Sequence, residues 1–558
     1  MSQQRDSFGC LHFRRFLPEL PGNFRRFISL AATRLESRFC RPSFSYLSKS
    51  TRVTGHVARW GGRGGATVSL LLLLLAPCLF AQPAPAPPIP ALFLSDIHLD
   101  PYADPAKVAK LNAASAADWP AILAAPPSPA QPQDFAALQK ACPVRGIDTP
   151  DVLWLSSLQA IHAAAVRARF VTISGDLLAH SFDCKFKNLL PTATPADYVA
   201  FTEKTIRYIV TSLRASLPGV PIYVAMGNND SGCTDYALDP AHDEFLARIA
   251  KIIAEALPSD LSTADRTAVL RDFATGGYYN VPLDAIPHTR LIVLDDLYLS
   301  TRYATCGGKP DPAPAAAQLA WLESQLASAR QHKDRVWVMG HIPPGVDPFN
   351  TIRNLPRVCF GAKPTMFLSS ESLADLLARN SDIVRLALFG HTHSDEMRLL
   401  TAEAAASTQR TTDNGQLTTT PLGVPVKLVP SITPVNGNRP TFTLATIDPA
   451  TANLTDFTVM EASNLTGIDP TWAPEYTYST AYREPAFDSA SLGSLIQGFA
   501  ADPSARSAAS QAYLRNYFPG DVSALLQLAW PQYTCAMSHD SGAAFTACAC
   551  KPPTPGAP

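Results

Sequence analysis

"LALFGHTH", Leu386 to His393, sets a short apolar run directly against two histidines that flank one threonine. Four apolar residues closed by a glycine have the length of a buried strand rather than of a helix. Two histidines just past such a strand have little structural use, so the stretch points to chemistry at a strand end. Working outward, the same grammar recurs. "ALFL" (Ala91–Leu94) runs into "SDIH", "FVTIS" (Phe170–Ser174) into "GDLLAH", "IYVAM" (Ile222–Met226) into "GNND", and "VWVM" (Val336–Met339) into "GHIPPG". Helical patterns lie between, such as Val152–Ala168, and Gln318–Arg330 with Leu319, Leu322 and Leu326 on one face. Strands alternating with helices imply an α/β core, in which ligands collect beyond the carboxyl ends of the strands. The five polar loops can therefore converge on one site.

Their contents suit metal ions. Asp96 and His98 stand at i and i+2, as do His391 and His393, so in extended backbone each pair would point to one side. Asp176 supplies a carboxylate able to bridge two cations, Asn228 a neutral carbonyl oxygen and His341 another imidazole. Nitrogen and oxygen ligands without thiolate suit zinc, manganese or iron better than calcium. With His180, five of the chain's 12 histidines fall in these loops. Singly each motif has an ordinary reading: "MGNND", Met226–Asp230, could be a tight turn, and a buried histidine is more often a satisfied core residue than a ligand. The set in this order, each member after a strand, is specific. Asp295 and Asp296, after "LIVL", read as a solvated strand end rather than a third metal site.

The 558 residues, 46% hydrophobic with 50 prolines, can bury a large core joined by long loops. Residues 1–65 carry 12 Lys/Arg against 3 Asp/Glu, leaving 34 against 44 and a body near −10, which excludes a broad basic surface for nucleic acid. After Arg59 and Arg63, the 15-residue apolar run Ala66–Phe80 has the length of a secretory signal core, with cleavage expected near Ala81. An uncleaved membrane anchor is the alternative, and translation could start downstream, at Val53 or Val57. Removing Cys10, Cys40 and Cys78 with this leader leaves eight of 11 cysteines, an even number that suggests disulfides in an exported chain. Cys535, Cys548 and Cys550 are expected to staple a C-terminal tail. Residues 82–90, "QPAPAPPIP", read as an extended linker, so folding should begin at Ala91. "NLT" at Asn453 and Asn464 would be glycosylated only in a eukaryotic host.

The order DxH, GDxxxH, GNxD, GHxPP, GHxH resembles the calcineurin-like metallophosphoesterase superfamily over Ala91–Asp448. "SDIHLDPYAD" (95–104), "GGYYNV" (276–281), "PSITPVNGNRPTF" (430–442) and "WAPEYTYSTAY" (472–482) are similar to its acid sphingomyelinase-like phosphodiesterases. The resemblance implies an α/β, four-layer αββα sandwich of two mixed sheets over residues 91–448, with a helical, cysteine-containing extension over 449–558. It implies two divalent metals, usually zinc: Asp96, His98 and His393 on one, Asn228, His341 and His391 on the other, Asp176 between. The reaction implied is hydrolysis of a phosphodiester or phosphoanhydride by a metal-bridging hydroxide, with His180 near the scissile phosphate. Sphingomyelinases of the family place a histidine where this chain has Asn229, whereas the related endopolyphosphatases can show GNND. An amide cannot supply a proton, though it can orient a phosphate oxygen, so Asn229 is the candidate that shifts the substrate away from lipid. The substrates implied are a small phosphate ester, nucleotide, polyphosphate or phospholipid, met by a monomer with at most transient membrane-surface contact. The alternatives are a sphingomyelin phosphodiesterase releasing phosphocholine and a metal-loaded binding protein without catalysis. Specificity is expected in the loops Pro191–Ala200 and Thr301–Pro314.

Overall fold

Strands β1 (Ile89–Leu94), β2 (Val171–Ser174) and β3 (Ile222–Ala225) run parallel side by side, β2 and β3 buried along their whole length. Residues this apolar do not alternate because both faces of the strand are covered. The computed structural model describes residues 86–551, apart from 241–243, 403–409, 412–416, 419–422 and 522. The basic leader, its cleavage near Ala81, the membrane-anchor alternative and the first half of the linker lie outside the described residues. Folding begins two residues ahead of the expected Ala91, because Ile89 and Pro90 already pair with Ile447 and Thr446.

Strands β4 (Tyr279–Pro282), β5 (Thr289–Val293), β6 (Arg335–Met339), β7 (Val384–Phe389) and β8 (Glu396–Thr401) belong to a second sheet. With β11 (Gly423–Leu428), which follows the small ribbon of β9 (Arg410–Thr411) and β10 (Leu417–Thr418), its order is β4-β5-β6-β7-β11-β8. The central pairs from β5 to β11 are parallel and both edges antiparallel. The first sheet is completed on the far side of β1 by antiparallel β12 (Thr441–Ile447), β13 (Leu454–Ala462) and β14 (Trp472–Thr477).

The sheets meet through aromatic side chains. Trp337 of β6 packs edge-on against Phe93 of β1 at 6.0 Å and against Phe170 at 5.9 Å. The Tyr279 hydroxyl accepts from Val224 N at 2.9 Å and donates to Val224 O at 3.1 Å, tying β4 to β3. Helices pack against both sheets. Pro195–Ser216, opened by a Thr194–Asp197 capping box, adjoins Phe245–Ala256 beside β3, and Ala313–His332 lies along β5 and β6. The expected helix at Val152–Ala168 spans Asp151–Ala164.

Two expectations are corrected. Residues after Asp448 are not helical at once: β13 and β14 prolong the first sheet, and helices follow only from Tyr478. β13 pairs with β12 on one side and β14 on the other and is buried or half-buried along its length. The stretch Pro191–Ala200 is chiefly the capped start of a long helix rather than a loop.

All eight cysteines of the described residues pair, as Cys142–Cys184, Cys233–Cys306, Cys359–Cys550 and Cys535–Cys548. The last two pin the C-terminal helices, which pack on β8 and β11 through Ser489–Ala500 and Trp530–Ser538. Among the described residues no helix is long and apolar enough to cross a membrane.

Candidate metal centre

Each of the five polar loops leaves a parallel strand at its carboxyl end, and the chain there turns sharply. Asp96, His98, Asp176, His391 and His393 all have left-handed backbone, with φ of 47°, 45°, 55°, 73° and 60°. The extended DxH and HxH segments expected from the sequence are therefore replaced by tight left-handed turns. Each such residue costs about 1–3 kcal/mol and persists only where its surroundings over-determine it. Backbone bonds do so here: Asp96 N to Gly175 O at 3.0 Å, His98 N to Asp176 O at 2.9 Å, and Thr433 N to Asp96 O at 3.0 Å. The loops approach so closely that a Cβ on Gly227 would overlap the Asp176 carboxylate, and one on Gly390 the Ser95 hydroxyl.

All seven expected ligand positions are brought together. Asp176 Oδ2 lies 3.3 Å from His98 Nε2 and 3.1 Å from His341 Nε2, so one carboxylate faces both halves of the cluster. Asp96 Oδ1 is 3.3 Å from His393 Nε2 and 3.8 Å from His98 Nε2. Asn228 Oδ1 is 3.2 Å from His341 Nε2, and the Asp176, His341 and His391 donors form a second compact group. His98 and His341 donate Nδ1–H to the carbonyls of Leu178 at 2.8 Å and Ser174 at 2.7 Å, which turns both Nε2 atoms inward. This is the outer-shell arrangement of metal-ligating histidines. His98 Nε2 is buried without a hydrogen-bond partner, as a nitrogen awaiting a cation would be.

The electrostatics agree. Burial raises a carboxylate and lowers an imidazole, yet His341 and His98 hold Asp176 well below the usual carboxylate range. Against the same burial, the Asp176 and Asp96 carboxylates raise His98 to about 9 and His341 to about 10. Burial, with His341 beside one and His98 beside the other, leaves His391 and His393 at about 4 and about 3. The metal-free chain thus draws protons onto two rings and keeps two as neutral bases. Cations take the place of such protons on binding.

The two further candidates differ. His180 Nδ1 donates to Asp148 Oδ1 at 2.8 Å, and its ring stacks on His98 at 4.1 Å with the side chain 30% exposed. Asn229 is buried and faces inward, its backbone N donating to Asp176 Oδ1 and its Nδ2 to Oδ2, both at 2.9 Å.

Several residues around the centre escaped the sequence reading. Asp230 accepts from Gly227 N, Leu177 N and Leu178 N at 2.8–2.9 Å, locking the second and third loops together. Asp296 accepts from His341 N and Ile342 N at 2.8 and 2.9 Å. Asp295 and Asp296 are both fully buried, which corrects the solvated strand end: Asp296 is held by the backbone that follows β6 instead of reaching water. Asp148 is held by buried Lys185, which also pairs with Asp100 at 2.8 Å. Asp230, the last residue of "GNND", and Asp100, within "SDIHLDPYAD", lay inside motifs, whereas Asp148 and Lys185 had no such signal.

The centre borders a cleft of about 2000 Å³ lined by Tyr236, Ser300, Thr301, Arg302 and His391 on one side and by Ile147, Val152 and Leu155 further out. Of the two expected specificity loops, residues 301–302 line it, and none of 191–200 does.

The chain is similar to several known proteins. The mouse (Mus musculus) cyclic GMP-AMP phosphodiesterase SMPDL3A is 26% identical over 365 residues, 63% of this chain and 71% of that protein. The human (Homo sapiens) acid sphingomyelinase-like phosphodiesterase 3b is 26% identical over 419 residues, 72% and 80% of the two chains. Sphingomyelinase phosphodiesterase D of Dictyostelium discoideum is 28% identical over 279 residues, 49% and 55%. Among solved structures, a dimetal phosphatase from Danio rerio aligns with 70% of this chain and all of its own at a TM-score of 0.34 and 11% identity. A family model of calcineurin-like phosphoesterases matches residues 89–395, the span that holds all five loops. The chain belongs to the calcineurin-like phosphoesterases and is a phosphoester hydrolase.

Proposed function

We propose that the protein is an exported dimetal hydrolase of small phosphodiesters and phosphoanhydrides, its two cations held by Asp96, His98, Asp176, Asn228, His341, His391 and His393. The observation that carries this is the placement of Asp176 Oδ2 between His98 Nε2 at 3.3 Å and His341 Nε2 at 3.1 Å. A carboxylate in that position can serve two cations at once. The nitrogen and oxygen donor set favours zinc, with manganese or iron as the substitutes. Bound there, such ions supply Lewis-acid activation of water and charge stabilisation of the phosphoryl oxygens.

The residues around them have separable tasks. Asp148 accepts the Nδ1–H of His180, which leaves Nε2 as the ring nitrogen to hydrogen-bond or protonate the departing oxygen. Asn229 clamps Asp176 through both its N–H groups and acts as a positioning residue. Without a second histidine, proton delivery rests on His180 alone. Leaving groups that are weak bases, as in anhydrides and aryl esters, therefore suffer least. This supports nucleotide anhydrides and polyphosphate as substrates ahead of sphingomyelin. Four disulfides support export.

The test is metal analysis and turnover of a nucleotide, polyphosphate and sphingomyelin panel on one sample, with Asp176→Asn beside it. The wild type should hold two metals and cleave the anhydrides fastest, and the variant should lose at least one metal and nearly all turnover. A variant with full metal and full rate would overturn the dimetal reading, and a wild type that binds metal but cleaves nothing would leave a binding protein.

A further inference from the structure

One wall of the cleft is built to hold a cation. The loop after β3 and the loop at residues 300–306 are joined by the Cys233–Cys306 disulfide and by a β-bridge between Ala237 and Ala304. Ala304 N donates to Tyr236 O at 3.1 Å, and the Tyr303 hydroxyl to Leu238 O at 3.0 Å. This double tie fixes Arg302, whose guanidinium lies 3.8 Å over the Tyr236 ring while its side chain remains 64% exposed in the cleft. The Tyr236 hydroxyl is 3.4 Å from His391 Nε2, and Tyr236 N donates to the carbonyl of Asn228 at 2.9 Å. Arg302 is thus braced against two of the residues assigned to the metals.

Among the described residues, the one close carboxylate does not consume it. Asp235 Oδ2 stands 3.7 Å from Arg302 Nη2, beyond a hydrogen bond, while Oδ1 accepts from Asn228 Nδ2 at 2.8 Å. A guanidinium stacked on one face and loosely paired keeps donors for a planar, bidentate grip on phosphate. A fixed positive charge beside His391 attracts a second anionic group and repels a quaternary ammonium.

We propose that Arg302 is a substrate-binding residue that selects substrates carrying a second phosphate next to the one hydrolysed, the chemistry of a nucleoside diphosphate or of polyphosphate. This rests on the phosphohydrolase reading of the metal centre. It adds a residue, and a reason for substrate choice, that the five motifs do not contain.

The experiment uses the full disulfide-bonded protein loaded with zinc and compares ADP with bis(p-nitrophenyl) phosphate, which has no second phosphate. For Arg302→Ala, the ratio of kcat/KM for ADP to that for the diester should fall about tenfold or more, mainly through KM for ADP. Arg302→Lys should recover part of the ratio, keeping charge but losing the planar fork, and Arg302→Glu should lower it further. Pyrophosphate should inhibit the wild type more strongly than orthophosphate, and Arg302→Ala should erase that difference. An unchanged ratio, or an equal loss on both substrates with the inhibitor difference intact, would overturn the role of Arg302 while leaving the metal centre standing. A wild type that cleaves neither substrate would overturn the phosphohydrolase reading itself, and this inference with it.

Discussion

Replacing Asn229 with alanine tests whether the residue serves Asp176 or the substrate. In the structure Asp176 accepts two hydrogen bonds from Asn229, one from the backbone N to Oδ1 and one from Nδ2 to Oδ2, each 2.9 Å long. Alanine keeps the first and removes the second. A hydrogen bond to an ionised partner contributes about 1.5–3 kcal/mol, and Asp176 is buried, so water does not replace the lost donor. The freed Oδ2 is the atom that faces both His98 and His341, so its loss of orientation should be felt by both cations. We therefore expect zinc affinity to fall about 10–100-fold, the range for removal of an outer-shell partner. The assay is zinc titration against a competing chelator, followed by kcat and KM for a chromogenic diester at saturating zinc. Turnover should recover largely when the metal is restored. Unchanged zinc affinity combined with a raised KM would show instead that the amide contacts substrate, and the positioning argument would fall.

Asp148→Asn should lower kcat by ~10²–10⁴ with little change in KM, because an amide in place of the carboxylate no longer fixes the His180 ring; steady-state kinetics on the diester decides this. Lys185→Met leaves Asp100 and Asp148 buried without their cation and should cost about 3–5 kcal/mol in urea unfolding, whereas a surface lysine would cost almost nothing. Asp296, pushed up to about 7 by burial against the pull of His341 and two backbone N–H groups, holds a proton that the unfolded chain releases near pH 4. Its contribution is complete below pH 4 and lost as pH rises through 7, at about 1.4 kcal/mol per pH unit. In chelator-treated protein the unfolding free energy of wild type minus that of Asp296→Asn should therefore fall by about 1.4 kcal/mol per pH unit over this window, and a difference that does not change with pH would refute it.

How much of this was legible beforehand follows from the range of the forces involved. Strand ends announce themselves locally. Apolar runs such as Leu386–Phe389 followed by glycine and histidine identify buried parallel strands and the loops at their ends, so the fold class and the residues that gather beyond the strand ends could be read from one chain. The eight paired cysteines were countable, but their partners were not, since Cys359 meets Cys550 only after 191 residues have folded between them. The same holds for the groups that hold the centre together. Asp296 reads as a polar strand end, and only its approach to the loop after β6 shows that its carboxylate binds the backbone of His341 and Ile342. Asp148 reaches His180 across 32 residues and Lys185 across 37. Asn229 reads as substrate-facing through the family histidine at its position, and only the packing of the loops shows that its backbone N and Nδ2 both donate to Asp176. Periodicity and motif record what a residue's near neighbours require, which is why sequence determined the fold class and the loops that meet at one site. Which carboxylate faces which donor depends on how separate loops pack, and that was decided only in three dimensions.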